Sequence, residues 1–283
     1  MPALWMLLAS LLFACMGVCV KFAALTLSTA EIVFYRAFLS LLLMVVLVRW
    51  RGVTLATPNW RWQISRGLSG FFALSCYFMA LGLLPLATAV TLNYTSAIFL
   101  ALILAFLGWR LNAGMIAALL AGLAGVVLLL KPVFHADLLL GGLVGLASGA
   151  FAGLAYYNVR ELGARGEPES RTVFYFSLVS SIGGAIWLAF AGVRAPGWRE
   201  MLWLLGVAGF ATTAQLAMTR AYARGKTLPA AVLAYTTVIF ASLFGALLFD
   251  DVLGASAWLA IALIVASGLA ASHFSRTAPP EPD

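Results

Sequence analysis

The chain has 283 residues, of which 64% are hydrophobic and 10% charged, and its mean hydropathy is +1.03. Soluble domains carry roughly a quarter charged residues, and no water-soluble fold of this size could cover so much apolar surface, so the composition is that of an integral membrane protein. Lys and Arg number 17 against 10 Asp and Glu. That excess could serve nucleic acid or a membrane charge bias, and the placement of the charges decides between them.

Ten apolar runs begin near Ala3, Ala30, Ile64, Leu86, Asn112, Leu138, Thr172, Met201, Pro229 and Gly254. Each approaches the 20 or so residues that cross ~30 Å of hydrocarbon. The connections are short. The longest, 49–66 and 160–171, are also the most charged, and no stretch is left for a soluble domain. No Lys or Arg precedes Lys21, so the first run lacks the basic n-region of a cleavable signal peptide and reads as a retained span. Cys15, Cys19 and Cys76 lie in apolar runs and read as packing residues, without a disulfide framework or metal site. The tail 277–283 reads as disordered.

Basic residues set the orientation. With the N-terminus in the cytoplasm, Arg49, Arg51, Arg61, Arg66, Arg110, Arg160, Arg165, Arg171, Arg220, Arg224, Lys226 and Arg276 fall inside. Lys21, Lys131, Arg194 and Arg199 fall outside, and Arg36 lies within a span. The bias places both termini inside and accounts for the positive charge with no nucleic acid.

A six-residue segment occurs twice, as Tyr94-Thr95-Ser96-Ala97-Ile98-Phe99 on the fourth run and as Tyr235-Thr236-Thr237-Val238-Ile239-Phe240 on the ninth. Self-similarity at long spacing signals a duplicated architecture. Five spans per half is an odd number, so the halves are inverted. The expected fold is an all-α polytopic membrane protein of ten transmembrane helices in two inverted five-helix repeats, 1–133 and 134–276. In such chains substrate sites form where the halves meet.

Polar side chains inside a bilayer are costly and mark pathways. Thr91, Tyr94 and Thr95 share one face of the fourth span, with Asn93 beside them. Thr212, Gln215 and Thr219 form a polar stripe on the eighth. Opposed stripes would make a wet cavity between the halves; alternatively, Ser and Thr hydroxyls bond helix carbonyls and serve packing. Lys21 and Arg36 could meet a substrate carboxylate. Otherwise Lys21 snorkels outward and Arg36 bonds Glu31 or helix ends. Tyr77 and Tyr156 could stack an aromatic or cationic ligand. The ladder Gly141, Gly145, Gly149 and Gly153 reads as a surface for close helix approach.

All acidic residues lie at span ends, in loops or in the tail, which argues against a proton relay through the core, with Glu31 and Asp250 as the remaining candidates. His135 and His273 stand at span ends or in a loop. Gly225-Lys226-Thr227 lacks the first glycine of a Walker loop, where Arg220 stands, so no ATPase subunit follows. No cofactor, metal or catalytic cluster is expected.

The paired Tyr-Thr-Ser/Thr-x-Ile-Phe segments, Lys21 ending the first span and Tyr35-Arg36 in the second resemble the drug/metabolite transporter superfamily, closest to its ten-helix bacterial amino-acid and metabolite exporters. The resemblance covers roughly residues 3–273. Where that family often has Gly-Glu after the fourth and ninth spans, this chain has Gly108-Trp109 and Asp250-Asp251. The resemblance implies export of small molecules across a bacterial inner membrane, by alternating access through a central cavity. A tyrosine-rich cavity with Tyr94, Tyr235 and nearby cations favours amino acids, aromatic or bulky ones above all, with drug-like compounds as a further class. A nucleotide-sugar or lipid carrier of similar architecture is the nearest rival, and an intramembrane lipid-modifying enzyme the next.

Overall fold

The computed structural model describes residues 2–84, 86–109, 111–131, 139–192, 196–249 and 254–277, without the side chains of 81, 82, 86, 87 and 275–277. Arg110, His135, Asp137, Leu138, Arg194, Asp250, Asp251, the Arg276 side chain and the tail beyond 277 lie outside that description.

Every element is helical: α1 Pro2–Ala23, α2 Thr29–Trp50, α3 Trp60–Leu83, α4 Leu86–Tyr94, α5 Ser96–Phe106, α6 Ala113–Leu130, α7 Leu139–Ala164, α8 Glu169–Ala191, α9 Trp198–Arg224, α10 Thr227–Ala234, α11 Thr236–Leu248 and α12 Ala255–Thr277. Among the described residues, nine helical stretches are long and apolar enough to cross a membrane, with Thr88–Phe106 and Thr227–Leu248 each counting once. The 24-residue α3 completes the ten expected crossings. Lipid-facing sides are apolar, as a bilayer demands: Phe106 is 94% exposed and Phe190 87%.

The fourth and ninth spans differ from the continuous helices expected. Each is broken, α4 from α5 at Thr95 and α10 from α11 at Tyr235. The backbone stays in the right-handed region (Thr95 φ −62°, ψ −9°; Tyr235 φ −59°, ψ −21°). The helix tightens for one residue, with Thr95 N–H bonding Leu92 O and Tyr235 N–H bonding Val232 O, both at 3.2 Å. Such tightening inside a helix marks hinges. Thr95 donates its hydroxyl to Leu92 O at 2.5 Å, and Thr236, its repeat counterpart, donates to Leu233 O at 2.7 Å. The threonines of the twin segments therefore satisfy carbonyls at the two breaks.

Helix pairing follows the duplication. The first span packs on the eighth (α1 on α9) and the sixth on the third (α7 on α3); α7 also lies along α4 and α5, as α1 does along α10 and α11. Adding five to a span number turns each pairing into another, and the pairs α2–α8 and α6–α12 map onto themselves. The glycine ladder of α7 explains how it reaches the break in the fourth span. A Cβ on Gly145 would stand 2.7 Å from Leu92 Cδ1, and one on Gly149 would stand 2.8 Å from Leu92 O. Only a backbone without side chains fits that close.

α2 begins at a capping box. Ser28 accepts from Glu31 N–H, while the Glu31 carboxylate accepts from Ser28 N–H at 2.8 Å and from its hydroxyl at 2.9 Å. Glu31 is thus engaged at the helix start and does not neutralise Arg36.

Candidate functional site

Five tyrosines from five spans converge where the halves meet. Tyr94 presents its ring to Tyr235 edge to face, with centroids 5.8 Å apart and planes at 65°. Tyr156 stacks on Tyr222 at 5.0 Å and 13°. Tyr77 and Tyr156 neighbour Tyr94, and Thr237 stands within hydrogen-bond reach of the Tyr94 hydroxyl. Tyr222 and Tyr235 are buried with hydroxyls that meet no partner.

Two arginines flank this cluster. Arg66, 2% exposed, sits beside Tyr156 with its guanidinium 4.3 Å from the centroid of the Phe176 ring. Its Nη2 donates to Gln215 Oε1 at 3.2 Å, and its Nε and Nη1 find no acceptor. Arg36, 6% exposed, has an Nε without an acceptor. With Ser40, Phe176, Ser180, Thr212 and Gln215 it lines a cavity of about 10 Å³, room for about one water. The described ion pairs use Arg160, Arg165, Arg171, Arg220 and Arg224, and neither Arg36 nor Arg66 belongs to one.

The structure therefore brings together Tyr94, Tyr235, Tyr77, Tyr156, Gln215 and Arg36 from the predicted set. Asn93 donates to Ser148 Oγ at 3.2 Å, and Ser148 donates to Gly145 O at 2.6 Å, so Asn93 ties α4 to α7. Thr91 and Thr219 are buried with hydroxyls lacking partners. Thr212 donates to Ala208 O at 2.7 Å and lies 2.9 Å from Ser40 Oγ. Thr95 is occupied at the break. Lys21 stands apart from the cluster, exposed at the end of α1 with Nζ 3.5 Å from the Phe249 ring centroid.

Two members escaped the sequence reading. Arg66 was expected at the charged end outside the hydrocarbon, but α3 starts at Trp60 and carries it six residues, ~9 Å, inward. The signal was the pair Trp60 and Trp62, an interfacial aromatic anchor one turn before the arginine. Tyr222 was hidden between Arg220 and Arg224, although Gln215, Thr219 and Tyr222 follow helical spacing.

Side-chain clusters join the two halves towards each end of the bundle. At the end that holds Lys21, Phe22 of α1 stacks on Trp203 of α9 at 4.5 Å and meets Phe249 at 5.4 Å. At the basic end, Glu167 gathers Thr57, Asn59 at 2.8 Å, Gln63 at 3.1 Å and Arg171 at 2.7 Å. It joins the α2–α3 loop of one half to the α7–α8 loop of the other. Where the sequence predicts a wet hollow between the halves, the rings of Tyr94 and Tyr235 pack on each other.

Comparison with known proteins agrees with this architecture. The EamA-like transporter family matches the chain twice, over residues 1–131 and 139–272. The pseudopaline exporter of Pseudomonas aeruginosa strain UCBPP-PA14 is 34% identical over 271 residues, covering 95% of each chain. An uncharacterised transporter of Helicobacter pylori strain J99 is 30% identical over 277 residues, covering 93% of this chain and 91% of its own. A crystal structure at 22% identity superposes over 98% of both chains with a TM-score of 0.87; at that identity it speaks for the fold alone. The chain belongs to the EamA-like transporter family. It is a multi-pass membrane transporter of small molecules and not an enzyme.

Proposed function

We propose that the protein exports small carboxylate-bearing solutes of the amino-acid class from the bacterial cytoplasm, by alternating access between an N-terminal unit (1–133) and a C-terminal unit (134–276). The observation that carries this reading is the meeting of Tyr94 and Tyr235, one from each twin segment, beside two buried arginines that lack carboxylate partners. A guanidinium offers a planar fork of donors that fits a carboxylate. The basic face is taken as cytoplasmic by the positive-inside rule, which puts both termini there and the Glu167 hub at the inner mouth.

In this scheme loading from inside parts the Glu167 hub, and release parts Phe22 from Trp203. The site residues are Arg36, Arg66, Gln215, Tyr77, Tyr94, Tyr156 and Tyr235, with Thr91 and Thr219 offering free hydroxyls. Asn93 and Thr95 support the broken helix on which Tyr94 rides. The relation to a pseudopaline exporter supports the outward direction. Each site tyrosine already has an aromatic neighbour, so carboxylate capture, more than ring stacking, sets recognition.

The reading is tested by counterflow in proteoliposomes across amino acids, sugars, cationic drugs and lipids. Exchange is expected for amino-acid-type carboxylates. Exchange confined to sugars conjugated to nucleotides, or to lipids, would overturn it.

A further inference from the structure

We infer that the site takes an organic acid with two carboxylates, one for Arg36 and one for Arg66, in preference to a zwitterionic amino acid with a single carboxylate; this deepens the export reading and rests on it. Around the two arginines, three buried atoms without partners can only donate, Arg36 Nε and Arg66 Nε and Nη1, and the hydroxyls of Ser180, Thr219, Tyr222 and Tyr235 can donate as well as accept. Arginine can only donate, and a site rich in unmet donors wants acceptors.

Charge makes the same demand. Two guanidinium groups share one buried neighbourhood around Phe176 and Gln215, and Gln215 is neutral. One carboxylate neutralises one of them. A zwitterion would also bring an ammonium, and no described carboxylate is placed to receive it. Glu31 caps α2, Glu161 pairs with Arg160 and Arg165, Glu167 with Arg171, and Glu169 with Arg224, while Glu200 accepts from Gly197 N–H. A buried charge left without its partner is strongly unfavourable, so the second arginine selects for a second anionic group. An acid with two carboxylates and one ammonium still brings a net negative charge, which a zwitterion with a single carboxylate does not.

The test uses the purified full-length protein, with succinate and glutamate as dicarboxylate probes, phenylalanine as the zwitterion and sulfate as the inorganic dianion. Thermal stabilisation and counterflow are measured for each. Succinate and glutamate are expected to stabilise and exchange. Arg36→Gln and Arg66→Gln should each weaken them about tenfold or more, with partial recovery in the lysine variants, which keep charge but lose the fork. Gln215→Glu places a carboxylate against Arg66. It should raise the melting temperature without ligand and abolish the succinate shift, which keeps the test decisive if the glutamine variants fold poorly. Phenylalanine exchanging as fast as succinate, and indifferent to both arginine variants, would overturn the inference while leaving export intact. Sulfate equalling succinate would overturn the organic-acid assignment. Succinate binding with no exchange of any solute would instead sink the export reading and leave the two-carboxylate site standing.

Discussion

The edge of the Tyr94 ring meets the face of Tyr235, or the reverse, at 5.8 Å and 65°, although the two lie on different halves of the chain. Each stands at the break of its own span. A Cβ on Gly122 would lie 2.6 Å from Tyr235 Cδ2. The Tyr235 ring therefore packs closely on α6 as well as on Tyr94.

Removing a ring and removing a hydroxyl should behave differently. Tyr94→Ala is expected to abolish counterflow while the protein remains folded by circular dichroism. Tyr235→Phe deletes a hydroxyl that meets no partner, so its stability should stay within about 1 kcal/mol of the parent or rise. A melting temperature well below the parent for Tyr235→Phe would show that the hydroxyl has a partner in the membrane.

The glycine ladder gives a paired test on one helix. Gly149→Ala drives a methyl into Leu92 O and should cost about 1–3 kcal/mol by forcing α7 away from the broken span. Gly142→Ala meets nothing within 4 Å and should leave melting unchanged. Equal melting of both variants in detergent would argue that α7 and the break do not stay in contact.

Gln215 holds Arg66 through a single hydrogen bond. Gln215→Ala leaves that guanidinium without its one acceptor, at a cost of about 1–3 kcal/mol, and is expected to abolish counterflow. Unchanged flux in both Gln215→Ala and Tyr94→Ala would remove the two residues from the site.

The hub at the basic end makes stability depend on pH. Burial by itself raises the Glu167 carboxyl, but hydrogen bonds from Thr57 and Asn59 and the bond and charge of Arg171 outweigh it and hold the group below its ordinary 4.5. A depressed carboxylate contributes stability that is complete above its unfolded value and is lost as pH falls through the folded one. Glu167→Gln should therefore melt below the parent at neutral pH. The two melting curves should converge as the pH drops below about 4.5. A gap that persists in acid would assign the loss to shape and not to charge.

The sequence by itself determined the membrane class, the ten crossings and the inverted duplication, because hydrocarbon thickness fixes span length and an odd count per half forces inversion. It also singled out Tyr94 and Tyr235, since a repeated polar segment inside apolar runs has few physical uses. What it could not assign was which polar groups are spent at home. Thr95 and Thr236 bond their own helices and Lys21 leans outward on Phe249; spacing allows these local bonds but does not choose between them and a cavity, whereas the Ser28-x-x-Glu31 capping box is legible in the sequence.

Tertiary structure alone decided the charge of the candidate site. Arg66 reads as a loop-end cation until α3 is packed against α7 and α8, which draws it beside Phe176 and Gln215. Tyr222 likewise reads as part of a basic helix end until α7 lays Tyr156 over it. Burial belongs to the assembly of ten helices and not to any one of them, so only their packing could show two guanidinium groups left without an anion.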